Sequence, residues 1–347
     1  MSEQEQNGFS QNMAEAQQGE QSPTPSIHKR RQQVRGEMYQ IAQKDSKILS
    51  LGEAERDIQR REELTKELLQ IQQELEKIEK AQEIMGEDFM GPEQVANALN
   101  LDPTTIEVPP IPFSQAELEK AKQLGQFLIL RIDKDSEGNP LTMQRIANLA
   151  QTQFEAQDKG RVLRDDITWF QNDSFFTADS LALKWALVSK EVVPGSTRKN
   201  YYEQTKTLVA YLKNEIIPTA NEQSQNLYLE AIREFETYAT TKFANKDDEE
   251  IEQLLRYNRQ TYSQELANLQ INQLCRQTPT EVLYDLIVYF QTNNQRLLEN
   301  MWAWTNTRDS VGDLVFVGYF DSDGVFVDRV RPGHSRGRLA VSFSRLR

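Results

Sequence analysis

The chain has 347 residues and a formal net charge of −13, from 53 acidic against 40 basic side chains. That balance argues against nucleic acid as the main partner. No apolar run is long enough to cross a bilayer and the N-terminus lacks a charged-then-apolar signal pattern, so a cytoplasmic location is expected, with unconventional export left open.

Residues 1–49 are polar, rich in Gln, Glu and Ser and poor in aromatics, which predicts a disordered tail. Its basic cluster, His28-Lys29-Arg30-Arg31 with Arg35, reads as solvated chain rather than a phosphate site. Residues 50–86 read as a coiled-coil helix. Leu64, Leu68, Ile71, Leu75, Ile78 and Met85 recur at three- and four-residue spacing among Glu, Lys and Arg. Two arrangements satisfy that seam: a homodimer through residues 64–85, or an arm folded back on its own chain. Residues 87–112, with Gly91-Pro92 and Val108-Pro109-Pro110-Ile111-Pro112, predict a stiff Pro-rich linker.

From residue 113 to 347 the pattern predicts an α+β globular domain. Ser114 and Glu117 form a capping box that opens a helix, and residues 127–132 make a short, apolar, buried strand. The run Asp133-Lys134-Asp135-Ser136-Glu137-Gly138 begins like a calcium loop. Pro140 and Gln144 then occupy the places of an aliphatic residue and a bidentate Glu, so a turn into a helix after Thr142 is expected instead. Trp169-Phe170 and Phe175-Phe176 should plug the core from irregular segments. Residues 185–193 read as a strand. Ser196 or Thr197 should cap a helix that buries Tyr201, Leu208, Val209, Leu212 and Ile216 and stops at Pro218. Residues 222–274 read as a helical insertion of two polar amphipathic helices split at 245–248. Thr278-Pro279-Thr280-Glu281 starts a helix too apolar to be free, expected to pack on the closing segment.

That closing segment, residues 301–347, reads as an antiparallel β-meander. Apolar runs at 314–320, 325–330 and 339–343 are separated by Asp/Ser/Gly and Pro-Gly turns. Period two puts Val315/Val317, Val325/Val327 and Leu339/Val341/Phe343 each on one side, leaving Phe316, Phe326 and Asp328 outward. Outward aromatics beside loop carboxylates and arginines point to a surface that a partner covers. Composition shifts as well: from Asp309 onward there is no Lys, Glu, Gln, Met or Trp. Strands disfavour Glu and Lys in any case. The same five are also among the residues that an Asn codon mutated at its adenines never encodes.

The Pro-capped helix, the Trp302-Ala303-Trp304-Thr305 run, Val317-Gly318-Tyr319-Phe320, the Pro332-Gly333 turn and the ending Gly337-Arg338-Leu339-Ala340-Val341-Ser342-Phe343-Ser344-Arg345 together resemble the C-terminal half of a C-type-lectin-like fold. More specifically they resemble its formylglycine-generating-enzyme-like branch, used by variable target proteins of diversity-generating retroelements. The resemblance covers residues 278–347, and Phe343-Ser344-Arg345 departs from the Gly-Phe-Arg signature of that branch. It implies a ligand-binding surface whose adjustable contacts are Phe316, Tyr319, Asp323, Phe326, Asp328, Arg329, Arg331, His334, Arg336 and Arg338. Oxidase members of the wider family use paired cysteines, which a single Cys275 does not supply; one cysteine also suits a reducing compartment.

Other catalytic chemistry finds little footing. The only histidines are His28 and His334, and neither a Gly-rich phosphate cradle nor a Cys/His cluster is present. The expectation is a non-enzymatic ligand- or protein-binding protein without cofactor or metal, its valency raised by the coil. The alternative is an intracellular structural or adaptor protein acting through the coil and the polar helices.

Overall fold

The computed structural model describes residues 25–44, 51–165 and 168–346, so what is expected of residues 1–24 and 45–50 lies outside the described residues. Ile27, Val34 and Ile41 repeat every seven residues, and they form the buried stripe of α1 (Pro25–Lys44). This helix lies antiparallel to α2 (Leu51–Met85), with Arg30 paired to Glu67 at 3.1 Å and Arg60 to Glu37 at 2.8 Å. Leu64, Ile71 and Ile78 of α2 are fully buried. Residues 25–44, expected as disordered tail, are therefore helical, and the seam read either as pairing chains or as an arm folded back on its own chain is occupied by a helix of the same chain.

The expected linker is also folded. Phe89–Met90 (β1) runs parallel to Leu128–Ile129 of β2 (Gln126–Arg131). Pro92–Leu99 forms α3, with Pro92 in the first turn where its missing N–H costs nothing. Only residues 106–114 stay extended, and the Pro109 carbonyl accepts a hydrogen bond from Trp185 Nε1 at 2.8 Å.

The helices that follow are α4 (Gln115–Gln123), α5 (Met143–Ala156), α6 (Ser174–Thr177) and α7 (Tyr201–Tyr211). Ser114 and Glu117 make the expected capping box. Asp135 is consumed by backbone N–H groups of Glu137 and Asn139 and by Arg145, which makes its loop a turn. Asn200, rather than Ser196 or Thr197, caps α7. Residues 222–275 form four helices instead of two: α8 (Glu222–Lys242), α9 (Asp248–Tyr257), α10 (Arg259–Asn268) and α11 (Gln270–Cys275). No described helix is long and apolar enough to cross a membrane.

Two sheets complete the fold. The first has the order β1-β2-β3-β8, with β3 at Lys184–Ser189 and β8 at Ser344–Leu346. The second has the order β6-β5-β4-β7, from β4 (Trp302–Arg308), β5 (Leu314–Asp321), β6 (Gly324–Val330) and β7 (Leu339–Ala340). The 302–308 stretch, outside the three apolar runs of the expected meander, is thus a central strand of this sheet. Of the third run of the expected meander only Leu339–Ala340 is strand: this β7 pairs parallel with β4, while β8, just beyond the run, crosses to the first sheet and pairs antiparallel with β3.

Between the sheets runs α12 (Pro279–Asn293), opened by the Thr278/Glu281 capping box and buried at every residue from 279 to 290. Tyr284 donates its hydroxyl to Leu130 O of the first sheet at 2.8 Å. On its other side α12 contacts β5, as expected for a helix with no polar face.

The second sheet has a core on each side. Val315, Val317, Val325 and Val327 join the core built on α12 and the first sheet. Trp304, Leu314, Phe316, Val330 and Leu339 join a second core formed with α7 to α11. Period two was legible, but the alternate side is covered by the helical layer. Phe316, expected outward, is fully buried, and Leu339, Val341 and Phe343 share its core rather than that of Val315. Phe316→Ala should therefore cost about 3–5 kcal/mol by creating a cavity. Phe326→Ala, at a half-buried position, should cost on the order of half as much by the same argument. Chemical denaturation of both variants checks this, and equal losses would contradict the two-core packing.

Candidate functional site

The register of the second sheet decides which outward-facing side chains stay accessible. Trp304 lies opposite Phe316, and Phe316 opposite Asp328; this row passes under the helical layer. One pleat further on, Trp302 lies opposite Gly318, and Gly318 opposite Phe326. Trp302 and Phe326 only border the second core and are half-buried. Gly318, at φ +150°, leaves the gap between them: a Cβ there would sit 2.3 Å from Met301 O. The two rings approach to 6.0 Å across it.

Immediately after Gly318 the ladder with β6 breaks in a bulge. Tyr319 takes φ +50°, the left-handed region that non-glycine residues seldom occupy. The bulge re-aims its ring, which stacks on Trp302 at 5.2 Å with an interplanar angle of 23°. A third strand edge then supplies a cation. Residues 162–164 lie along β6, with Val325 N donating to Val162 O and Arg164 N to Val325 O. This places the Arg164 guanidinium 5.4 Å from the Tyr319 ring centre and 5.6 Å from that of Phe326. Asp321 fixes Arg164 from the hairpin turn at 2.5 Å. Arg338 donates from Nη1 to the Tyr319 hydroxyl at 2.9 Å, and its carbonyl accepts from Trp302 N.

The ten expected contact residues separate accordingly. Tyr319, Phe326 and Arg338 belong to this rim, and Asp323 is exposed at the adjoining hairpin tip. Asp328 is half-buried in the row of Phe316. Arg329 pairs in register with Val315, so it leaves by the opposite face, where it lies 4.3 Å over Trp169 and pairs with Asp309. Phe316 and Arg329 are thus not part of one surface with the others. Trp302 and Arg164 belong to the rim and were not expected. The Trp-x-Trp-Thr-x-Thr alternation of strand formers could have revealed Trp302; no local signal reveals Arg164, which arrives from a distant loop.

Arg331, His334 and Arg336 lie in the β6–β7 loop. His334 N closes a turn onto Arg331 O, and Gly333 packs on α9, where a Cβ would meet Arg256 Cγ at 2.7 Å. On the other side Arg198 N donates to Arg336 O. Burial, then Arg256, Arg336 and Arg331, hold the His334 imidazole below its ordinary pKa, with Asp313 opposing. Cys275 is fully buried, and burial pushes its thiol up. An open polar groove of about 710 Å³ lies between α10 and the β4–β5 turn, lined by Gln260, Gln264, Asn268 and Arg308 among others; none of the ten residues lines it.

Neither a family model, nor a curated protein, nor a solved structure matches the chain.

A base whose folded pKa is depressed binds fewer protons folded than unfolded. His334 therefore contributes stability that is fully present above its unfolded value and lost as pH falls from there through the lower folded pKa. NMR titration should place His334 below 6.5, and Arg331→Gln with Arg336→Gln should move it upward. A titration insensitive to those substitutions would show that the arginines do not crowd the ring.

Proposed function

We propose that the protein is a non-enzymatic binding protein that recognises its partner through the rim of the second sheet. The observation that carries this reading is the half-buried row Trp302–Gly318–Phe326, which the helical layer does not cover, with Tyr319 turned onto it by a bulge in a backbone conformation unfavourable to a tyrosine. Trp, Tyr and Arg are the residues that most often dominate binding energy at interfaces. Here Trp302 and Tyr319 lie on strands, and Arg164 and Arg338 are held against them by ring contacts and hydrogen bonds, which limits the entropy lost on binding. The C-type-lectin-like and retroelement-target readings belong to the same proposal. Their support is the altered composition after residue 308 and a terminal strand that returns to the first sheet. The adaptor reading finds less support, because the seam of α2 is occupied by α1.

Tyr319→Gly tests the reading cleanly, since glycine adopts the required φ without strain while losing the ring. Affinity capture from the cells that make the protein, followed by mass spectrometry, should recover a partner with the native chain. The variant should lose it while its thermal unfolding changes little. An unchanged captured set would overturn the rim as the binding site. For the retroelement reading, the genome should hold a reverse-transcriptase gene beside an adenine-bearing copy of the segment encoding residues 309–347; a neighbourhood without them refutes that part alone.

A further inference from the structure

We infer that the β6–β7 loop and the N-terminal approach to α7 form a receptor for a carboxylate-rich peptide segment, seated on Arg198, Arg331 and Arg336 and reaching the aromatic rim through Arg338. This inference rests on the binding role proposed above and names the partner's chemistry. Arg198 is joined to Arg336 by a backbone hydrogen bond, and its Nε lies 3.9 Å from where a Cβ on Gly337 would stand. Arg198, Arg331, Arg336 and Arg338 are all exposed, and none has an ion-pair partner among the described residues. Glu252, whose backbone lies against Gly333, and Asp313, which acts on His334, are both committed to other arginines: Glu252 to Arg256 at 2.5 Å, and Asp313 to Arg259 at 3.0 Å. In a chain of net charge −13, this is a local concentration of uncompensated positive charge.

Donor inventory narrows the ligand. A guanidinium offers only N–H donors. A complementary ligand must bring acceptors and negative charge, and carboxylates match a guanidinium in pairs. A nucleic acid would also bring acceptors, but two observations disfavour it. Trp302 and Arg164 already pack on the Tyr319 ring, so it offers no free platform for a base. The acidic remainder of the molecule also repels a long polyanion. A short segment senses mainly charges within a Debye length, about 8 Å at physiological salt.

Fluorescence anisotropy with the full chain and a labelled oligo-glutamate peptide tests this. Single-stranded oligothymidylate of equal charge and vesicles containing phosphatidylserine serve as the other arms. The expected result is saturable peptide binding, weakened by salt and weakened about tenfold or more in the Arg331→Gln/Arg336→Gln variant, with thermal unfolding unchanged. Absence of saturable peptide binding, equal binding by the variant, or tighter binding of the oligonucleotide or vesicles would each overturn the inference. If the double variant retains the cellular partner that Tyr319→Gly loses, the peptide receptor is wrong and the rim reading stands. Loss of neither partner defeats both.

Discussion

A β-sheet presents two faces, and in this protein both faces of the C-terminal sheet are occupied. Val315 and Val317 press toward α12, and Phe316 presses toward α7 to α11. Alternation along β5 is therefore a division between two hydrophobic cores, not between core and water. Only where the helical layer ends does the outward face become accessible, at Trp302 and Phe326. Tyr319 is held there in the left-handed region, a conformation that costs about 1–3 kcal/mol and persists only when the surroundings determine it. Stacking on Trp302, the hydrogen bond donated by Arg338 and the Tyr319 N–H donating to Met301 O supply that determination.

The same arrangement needs ionic groups in places where water does not reach. Arg131 of β2 is fully buried and bonds both oxygens of Asp285 on α12, at 3.0 and 2.6 Å. Its Nη1 lies 2.8 Å from Glu281, and Nη2 reaches Ser344 at the start of β8. One guanidinium thus ties the first sheet, the central helix and the returning terminus. Burial pushes the Asp285 carboxyl up to about 6 against the pull of Arg131. Burial also acts to raise Glu281, but Arg131 and Lys184 outweigh it and hold that group below its usual value. Such a network adds less net stability than its contacts suggest, since desolvation offsets much of the attraction. Its stronger effect is geometric, because any slip of β2 against α12 would leave a buried carboxylate unpaired. Arg276 shows the alternative solution: also fully buried, it is met by Asn272 Oδ1 at 2.8 Å and lies 4.0 Å from the Tyr201 ring centre.

Local signals were legible where chemistry fixes them within a few residues. Thr278 with Glu281, Ser114 with Glu117, and the apolar run at 127–132 each specify their own structure. What escaped depended on distant partners. Composition made residues 25–44 look like tail, although the sevenfold spacing of Ile27, Val34 and Ile41 was there to be read. Prolines made residues 87–112 look like a linker, although Gly91-Pro92 is also how a helix begins. For Phe316 no local pattern helps. Whether a strand's second face meets water depends on where α7 to α11 dock, and that information is spread over some seventy residues before the sheet. Three of the five rim residues, Tyr319, Phe326 and Arg338, were legible in the segment itself; Trp302 lies there too but was not read as a contact, and Arg164 comes from a loop that pairs with the far edge of β6.

Covered faces also bound how much this segment can change. In a variable surface, substitutions must fall where burial does not hold the fold. Phe316, Val317 and Val327 fail that condition, each being fully buried or nearly so. Asp323, Arg331 and Arg336 satisfy it, lying exposed in a hairpin tip and a loop; Tyr319 and Arg338 satisfy it only together, since their side chains bond each other. The β6–β7 loop leaves the far end of the sheet, where Val330 faces Leu314, and returns to the rim, where Leu339 faces Trp302. Its arginines are therefore carried along the sheet beside the aromatic row. On the binding reading proposed above, a rigid two-core sheet bordered by exposed loop residues separates stability from recognition: buried strand positions tolerate almost nothing, whereas the loop arginines contribute little to keeping the chain folded.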